Sequence, residues 1–272
     1  MPFIDSDGVN IYYEAGGQGE PLILIMGFGQ NLMHWADFPM AMVKQQYQVI
    51  LIDNRGTGRS DKPDAPVTMV QMADDVVKVM DALKISRANV FGVSMGGMIV
   101  QEFALNHGDR LLNLILGCTL CGGVHTVAPE PDAQKILFDL EYLKSLTPEQ
   151  RSKTVFSFLC TQEYIDQNPD ALKYYHQVTN EYVTPEFIFK RQGEAVALFD
   201  TWDRLTRIKA PTMIIAGTAD RLIPYKNSEV LKERIPGSEL VLLQDKGHFF
   251  HVEALDSTRI FVNGFLKRHS KH

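Results

Sequence analysis

The chain has few cysteines, few tryptophans, no long apolar run and no excess of positive charge. Three cysteines, an odd number, exclude a disulfide framework as the source of stability. Cys118 and Cys121 form a C-x-x-C pair, but no second pair or histidine couple completes a zinc set, so no metal or other cofactor is expected. Apolar runs such as Leu22 to Met26 and Leu114 to Leu116 are far shorter than the roughly 20 residues a membrane-spanning helix needs. Asp5 and Asp7 stand where a secretory leader would carry a basic and then an apolar segment, which predicts a cytoplasmic protein without a leader. Net charge is -6 and the basic residues are scattered, so neither nucleic acid nor a membrane is an expected partner. The basic tail from Lys267 to His272 is expected to fray. The expected partner is a small molecule, bound by a monomer or homodimer.

What the chain does contain is a core's worth of apolar residues, 45% of 272, arranged in an alternation of strand and helix patterns. Val9 to Tyr13 alternates like an edge strand. Pro21 to Met26, Gln48 to Ile52, the run ending at Phe91, Leu111 to Leu116, Thr212 to Ala216 and Glu239 to Leu243 read as buried strands. Between two of them, Val70, Met72, Ala73, Val76, Val77, Met80 and Leu83 recur at helical spacing across Thr68 to Leu83. Such alternation predicts an α/β fold: a mostly parallel sheet with helices on both faces and ligands at the carboxyl ends of its strands.

From about Cys121 to Arg207 the alternation stops. Helical segments punctuated by prolines take over, with helix starts at Thr147-Pro148-Glu149 and Thr184-Pro185-Glu186. This predicts a core domain of residues 1–120 and 208–272 with an all-helical lid, residues 121–207, inserted before a sheet strand. Leu143, Phe158, Phe199 and Trp202 from the lid, with Trp35, Ile223 and Phe249 from the core, are the expected apolar lining of a substrate pocket. Most other lid aromatics, including Phe138, Phe156, Tyr174 and Phe187, are expected to form its internal core.

The chemistry begins at Gly92-Val93-Ser94-Met95-Gly96, a serine between two glycines where a strand pattern becomes a helical one. A serine hydroxyl is a weak nucleophile until a base takes its proton, and the flanking glycines allow the sharp turn that presents it. The acid and base should follow in chain order, each just after a strand. Asp220 leaves the strand Thr212 to Ala216, and no carboxylate occurs between Asn113 and Pro129, the alternative place for the acid. His248 alone of eight histidines closely follows a strand, after Gly247. His251 is its competitor, with an expected structural or pocket-edge role; His34, His107, His125 and His176 precede the acid and break the order.

With these residues in place the chain resembles the α/β-hydrolase family over nearly its whole length, in particular its lidded serine carboxylesterases and enol-lactonase-like hydrolases. Asp53-Asn54-Arg55-Gly56-Thr57-Gly58-Arg59-Ser60 is similar to the Asp-x-Arg-Gly-x-Gly-x-Ser loop of those enzymes, and no Lys-Ser or Lys-Thr pair follows it as a phosphate-binding loop requires. The resemblance implies an oxyanion hole made by the backbone N–H groups of Phe28 and Met95. Met26 departs from the family, where a histidine commonly stands and braces this loop with hydrogen bonds that methionine cannot make. The expected activity is hydrolysis of a small or medium carboxylic ester or lactone through an acyl-enzyme on Ser94, with His248 as base and Asp220 as acid. Cofactor-free perhydrolases, carbon–carbon bond hydrolases and aminopeptidases use the same triad and remain alternatives, as does a non-catalytic small-molecule receptor. An enol-lactonase would offer its substrate carboxylate a cation, for which Lys190 and Arg191 are candidates.

Overall fold

The computed structural model describes residues 2–270. Eight strands form one sheet: β1 (Phe3–Ser6), β2 (Val9–Gly16), β3 (Glu20–Ile25), β4 (Tyr47–Ile52), β5 (Ala88–Val93), β6 (Leu111–Gly117), β7 (Thr212–Gly217) and β8 (Glu239–Leu243). Their spatial order is β1-β2-β4-β3-β5-β6-β7-β8. β2 runs antiparallel to both its neighbours and every pairing from β4 to β8 is parallel. The edge is therefore β1, and β2, expected as an edge strand, is paired on both sides. Its half-polar alternation reflects partial burial near the end of the sheet.

Among the described residues there are twelve α-helices: α1 (Phe38–Val43), α2 (Met69–Ala82), α3 (Met95–Asn106), α4 (Pro131–Phe138), α5 (Leu140–Ser145), α6 (Pro148–Leu159), α7 (Gln162–Gln167), α8 (Pro169–Glu181), α9 (Glu186–Ala197), α10 (Lys226–Arg234), α11 (Phe250–Glu253) and α12 (Leu255–His269). The central strands are mostly apolar because both faces are covered, with the buried Asn89 and Asn113 as polar exceptions. On β3, Leu22 and Leu24 join Phe38, Met42 and Phe265 from α1 and α12, while Ile23 and Ile25 join Met72, Val76 and Ile99 from α2 and α3. Thr68 caps α2, its hydroxyl accepting from Gln71 N at 3.1 Å, a contact whose loss costs about 1 kcal/mol. Among the described residues no helix is long and apolar enough to cross a membrane.

Helices α4 to α9 lie between β6 and β7 and build their own apolar cluster. Phe156, Leu159 and Tyr175 pack there with Leu222 and Phe249, which come from loops beyond the carboxyl ends of β7 and β8. That packing seats the insertion over those strand ends. Its two stems are joined where Gly122 bridges Asp200 and Thr201 N donates to Cys121 O at 2.8 Å. Thr147 caps α6 in a capping box with Gln150. Thr184 does not cap α9: its hydroxyl donates to Gly29 O at 2.9 Å instead, tying the insertion to the loop after β3. The basic tail does not fray through its length, because α12 continues to His269 and Arg268 and His269 both reach Glu239; Lys271 and His272 lie outside the described residues.

Candidate active site

Ser94 follows β5, every residue of which is buried, and precedes α3. Its backbone adopts φ 57°, ψ -126°, a conformation that costs a residue with a side chain of the order of 1–3 kcal/mol. The surroundings hold it there: Ser94 N donates to Gly117 O at 2.9 Å, and Thr119 Oγ1 donates to Ser94 O at 2.8 Å. A Cβ on Gly96 would fall 2.8 Å from Met26 O, so only glycine lets α3 close against the loop after β3. A Cβ on Gly27 would lie 2.9 Å from Ser94 Cβ, which places that loop directly against the serine. The N–H groups of Phe28 and Met95, on either side of this contact, have no hydrogen-bond partner among the described residues.

The loop is braced although Met26 replaces the histidine. Asn54 Nδ2 donates to Met26 O at 2.8 Å and Leu32 N donates to Asp53 Oδ1 at 2.7 Å. From α9, Gln192, 1% exposed, accepts from Gly29 N at 2.8 Å. Rigidity thus comes from the Asp53–Ser60 loop and from the helical insertion. Asp53 Oδ2 also accepts from Arg59 N at 2.8 Å, and Arg55 pairs bidentately with Asp75 at 2.7 and 2.5 Å, both residues buried. Gln192 carried no sequence signal, since a lone glutamine on a helix reads as surface.

Asp220 and His248 meet. Asp220 Oδ2 accepts from His248 Nδ1 at 2.7 Å, with the carboxylate side chain fully buried and the imidazole 5% exposed. Leu222 N and Ile223 N donate to Asp220 Oδ1 at 2.8 and 2.9 Å, so the carboxylate is held on both oxygens. Burial pushes the His248 pKa down, but the adjacent Asp220 charge outweighs it and holds the group well above the usual histidine range. The ring's Nε2 faces Cys118 Sγ at 3.9 Å, at the end of β6 and one residue past Gly117, which holds Ser94 N. Base and serine therefore share one corner, at the carboxyl ends of β5, β6 and β8. Burial pushes the Cys118 thiol up, so it stands beside Nε2 as a neutral, weakly polar group. All three cysteines are free and buried.

Donor atoms of Cys118, Asp220 and His248 lie within 4.8 Å of one another. Asp220 is spent on His248 and two backbone N–H groups, leaving Sγ and Nε2, fewer ligands than a zinc site uses. The turn carrying His248 is clamped by Glu253, whose Oε2 accepts from Gly247 N at 3.1 Å and whose Oε1 accepts from Thr161 N at the α6–α7 junction. Phe249 N donates to Leu159 O at 2.8 Å in the same place. His251 is 1% exposed, with Nε2 donating to His34 O at 3.2 Å and its ring packed on Trp35 and Phe249.

The expected pocket residues divide. Phe249 lines a cavity of about 180 Å³ between the core and the insertion. Trp35 does not line a pocket: it is fully buried among Phe38, Phe91 and His251, because the turn before α1 directs it into the core. Trp202 stacks on His125 at 3.8 Å under Arg234, on the far side of the insertion's stem, and Phe199 packs into the main core beside Cys121 and Leu205. Phe158 sits beneath the Arg221 guanidinium and Leu143 is half-buried on α5. Ile223 contributes its N–H to Asp220. Arg191 is paired with Asp64 and Glu194 and Lys190 is exposed, so neither forms a buried anion site.

Residues 20–255 match the family described as alpha/beta hydrolase fold. The chain belongs to that family. It is similar to the putative carbamate hydrolase RutD of Caulobacter sp. (strain K31), 31% identical over 94% of this chain and 95% of the relative. It is also similar to the 2-hydroxy-6-oxononadienedioate/2-hydroxy-6-oxononatrienedioate hydrolase of Escherichia coli O81 (strain ED1a), 29% identical over 96% and 92%. Among solved structures, the enol-lactonase from Burkholderia xenovorans LB400 superposes with a TM-score of 0.85 at 28% identity, covering 98% of this chain and all of the other. This α/β hydrolase thus has relatives named for three different substrates.

Proposed function

We propose that this hydrolase cleaves small or medium carboxylic esters or lactones through an acyl-enzyme on Ser94. His248 Nε2 takes the Ser94 proton as Oγ attacks the acyl carbon, and the backbone N–H groups of Phe28 and Met95 receive the oxyanion. The bond to the leaving oxygen breaks, and that oxygen takes the proton from His248. Water then attacks the acyl-enzyme with His248 again as base, releasing the acid and restoring Ser94. Asp220 holds the imidazole orientation and stabilises its charged form.

The observation that carries the reading is the buried Asp220–His248 pair, whose Nε2 faces Cys118, the residue after the Gly117 that holds Ser94 N. Carbamates, lactones and esters all present a carbonyl carbon bonded to a heteroatom leaving group, so the chemistry accommodates the relatives named for a carbamate and an enol-lactone. The test is a panel of esters of graded acyl length, lactones, a carbamate and a 2-hydroxy-6-oxodienoate, run on wild type and Ser94→Ala. Ester or lactone turnover lost by more than about 10³-fold in the variant is the expected result. Equal rates in the two proteins, or turnover confined to the dienoate, would overturn it.

A further inference from the structure

The cavity beside Phe249 is walled by aromatic rings and carries a single unpaired charge. Phe156 of α6, Tyr164 of α7, Tyr174 and Tyr175 of α8 and Phe249 line it, and Asp37, exposed, stands at its rim. Asp37 precedes α1 without capping it, and its carboxylate has no hydrogen bond or ion pair among the described residues. No lysine or arginine lines the cavity. Its one basic residue, His34, is bound to Thr179 through Nε2 at 3.2 Å and is held down at about 4 by burial, so it is neutral at ordinary pH. Burial pushes the Tyr174 hydroxyl up, with a smaller contribution from the charge of Asp37; Tyr164 is pushed up to about 12 by burial, then by Cys160 and Glu253, with Asp37 adding least.

We propose that this cavity binds a small organic cation of the trimethylammonium type, with the aromatic walls around the cationic head and Asp37 opposing its charge at the rim. Ring faces with a carboxylate favour such a head over a neutral group of equal shape, because a quaternary ammonium is weakly hydrated and is attracted by the negative face of the ring quadrupole. A hydrophobic cavity of about 150 Å³ is enough to hold benzene, so about 180 Å³ admits a head of this size. The Tyr174 hydroxyl is already spent, donating to Met33 O at 2.9 Å. Tyr174 therefore offers its ring rather than a free donor. The site is separate from the chemistry at Ser94, although Phe249 joins the two by following His248 directly.

The experiment titrates the Ser94→Ala protein with choline and with its neutral isostere 3,3-dimethylbutan-1-ol by calorimetry, with and without Asp37→Asn. Choline is expected to bind about tenfold more tightly than the alcohol, between the sizes of an exposed and a desolvated cation–π contact. Asp37→Asn is expected to weaken choline several-fold and leave the alcohol unchanged, and Tyr174→Leu to weaken choline with an unaltered circular dichroism spectrum. Equal affinity for the two ligands would overturn the proposal. So would an absence of choline binding, or choline binding that Asp37→Asn leaves intact.

Discussion

Acidification from about pH 7.5 to about pH 5 is expected to cost this fold about 2 kcal/mol at His251 alone. The ring lies between Trp35, 5.0 Å away, and Phe249, 4.9 Å away, and its Nδ1 has no partner. Burial first, then the neighbouring imidazoles of His248 and His34, hold it down at about 3, although Nε2 donates to His34 O. An unfolded histidine titrates near 6.5, so as pH falls the unfolded chain takes up the proton first. Stability is therefore complete above about pH 6.5 and is lost progressively until the native ring titrates near 3. His34, held at about 4, adds a loss of similar size, while His248, held above its ordinary value, contributes with the opposite sign, gaining stability as pH falls from its raised native pKa to the unfolded value near 6.5. Urea unfolding of wild type and His251→Gln isolates the His251 contribution, because His34 and His248 are present in both and glutamine can still donate to His34 O. Wild type should lose about 2 kcal/mol more than the variant between the two pH values. Equal losses would refute the reasoning that His251 is neutral in the native state.

Asp220→Asn should lower turnover by something like 10⁴-fold and move the acid limb of the kcat/KM profile to lower pH. Activity needs the neutral imidazole, so in wild type it rises with pH through a His248 pKa that Asp220 holds up against burial; an unmoved limb would assign the acid elsewhere. Gln192→Leu removes the acceptor for Gly29 N and should reduce kcat about tenfold with little change in KM, as measured by steady-state kinetics. An unchanged kcat would mean that Asn54 and Thr184 hold the loop unaided. Asp75→Ala leaves the buried Arg55 guanidinium without its partner and should cost about 3–5 kcal/mol in denaturant unfolding. A loss below about 1 kcal/mol would show that water reaches the pair.

Much of this protein is written in local patterns. Apolar runs of strand length, such as Thr212 to Ala216, and the helical spacing from Val70 to Leu83 are set by the geometry of single elements, so the α/β fold was legible before any packing was known. The residues read as nucleophile, acid and base were found the same way, because each follows a strand and a turn needs a particular residue there. Position in the tertiary structure decided the rest. Trp35 looks like a pocket aromatic in sequence, and only the turn into α1 sends it to the core. Gln192 braces a glycine 163 residues away, and Cys118 faces an imidazole 130 residues away. No local period encodes such contacts. They arise because a sheet gathers the carboxyl ends of distant strands at one edge, where an inserted set of helices must satisfy the polar groups and fill the space it finds there.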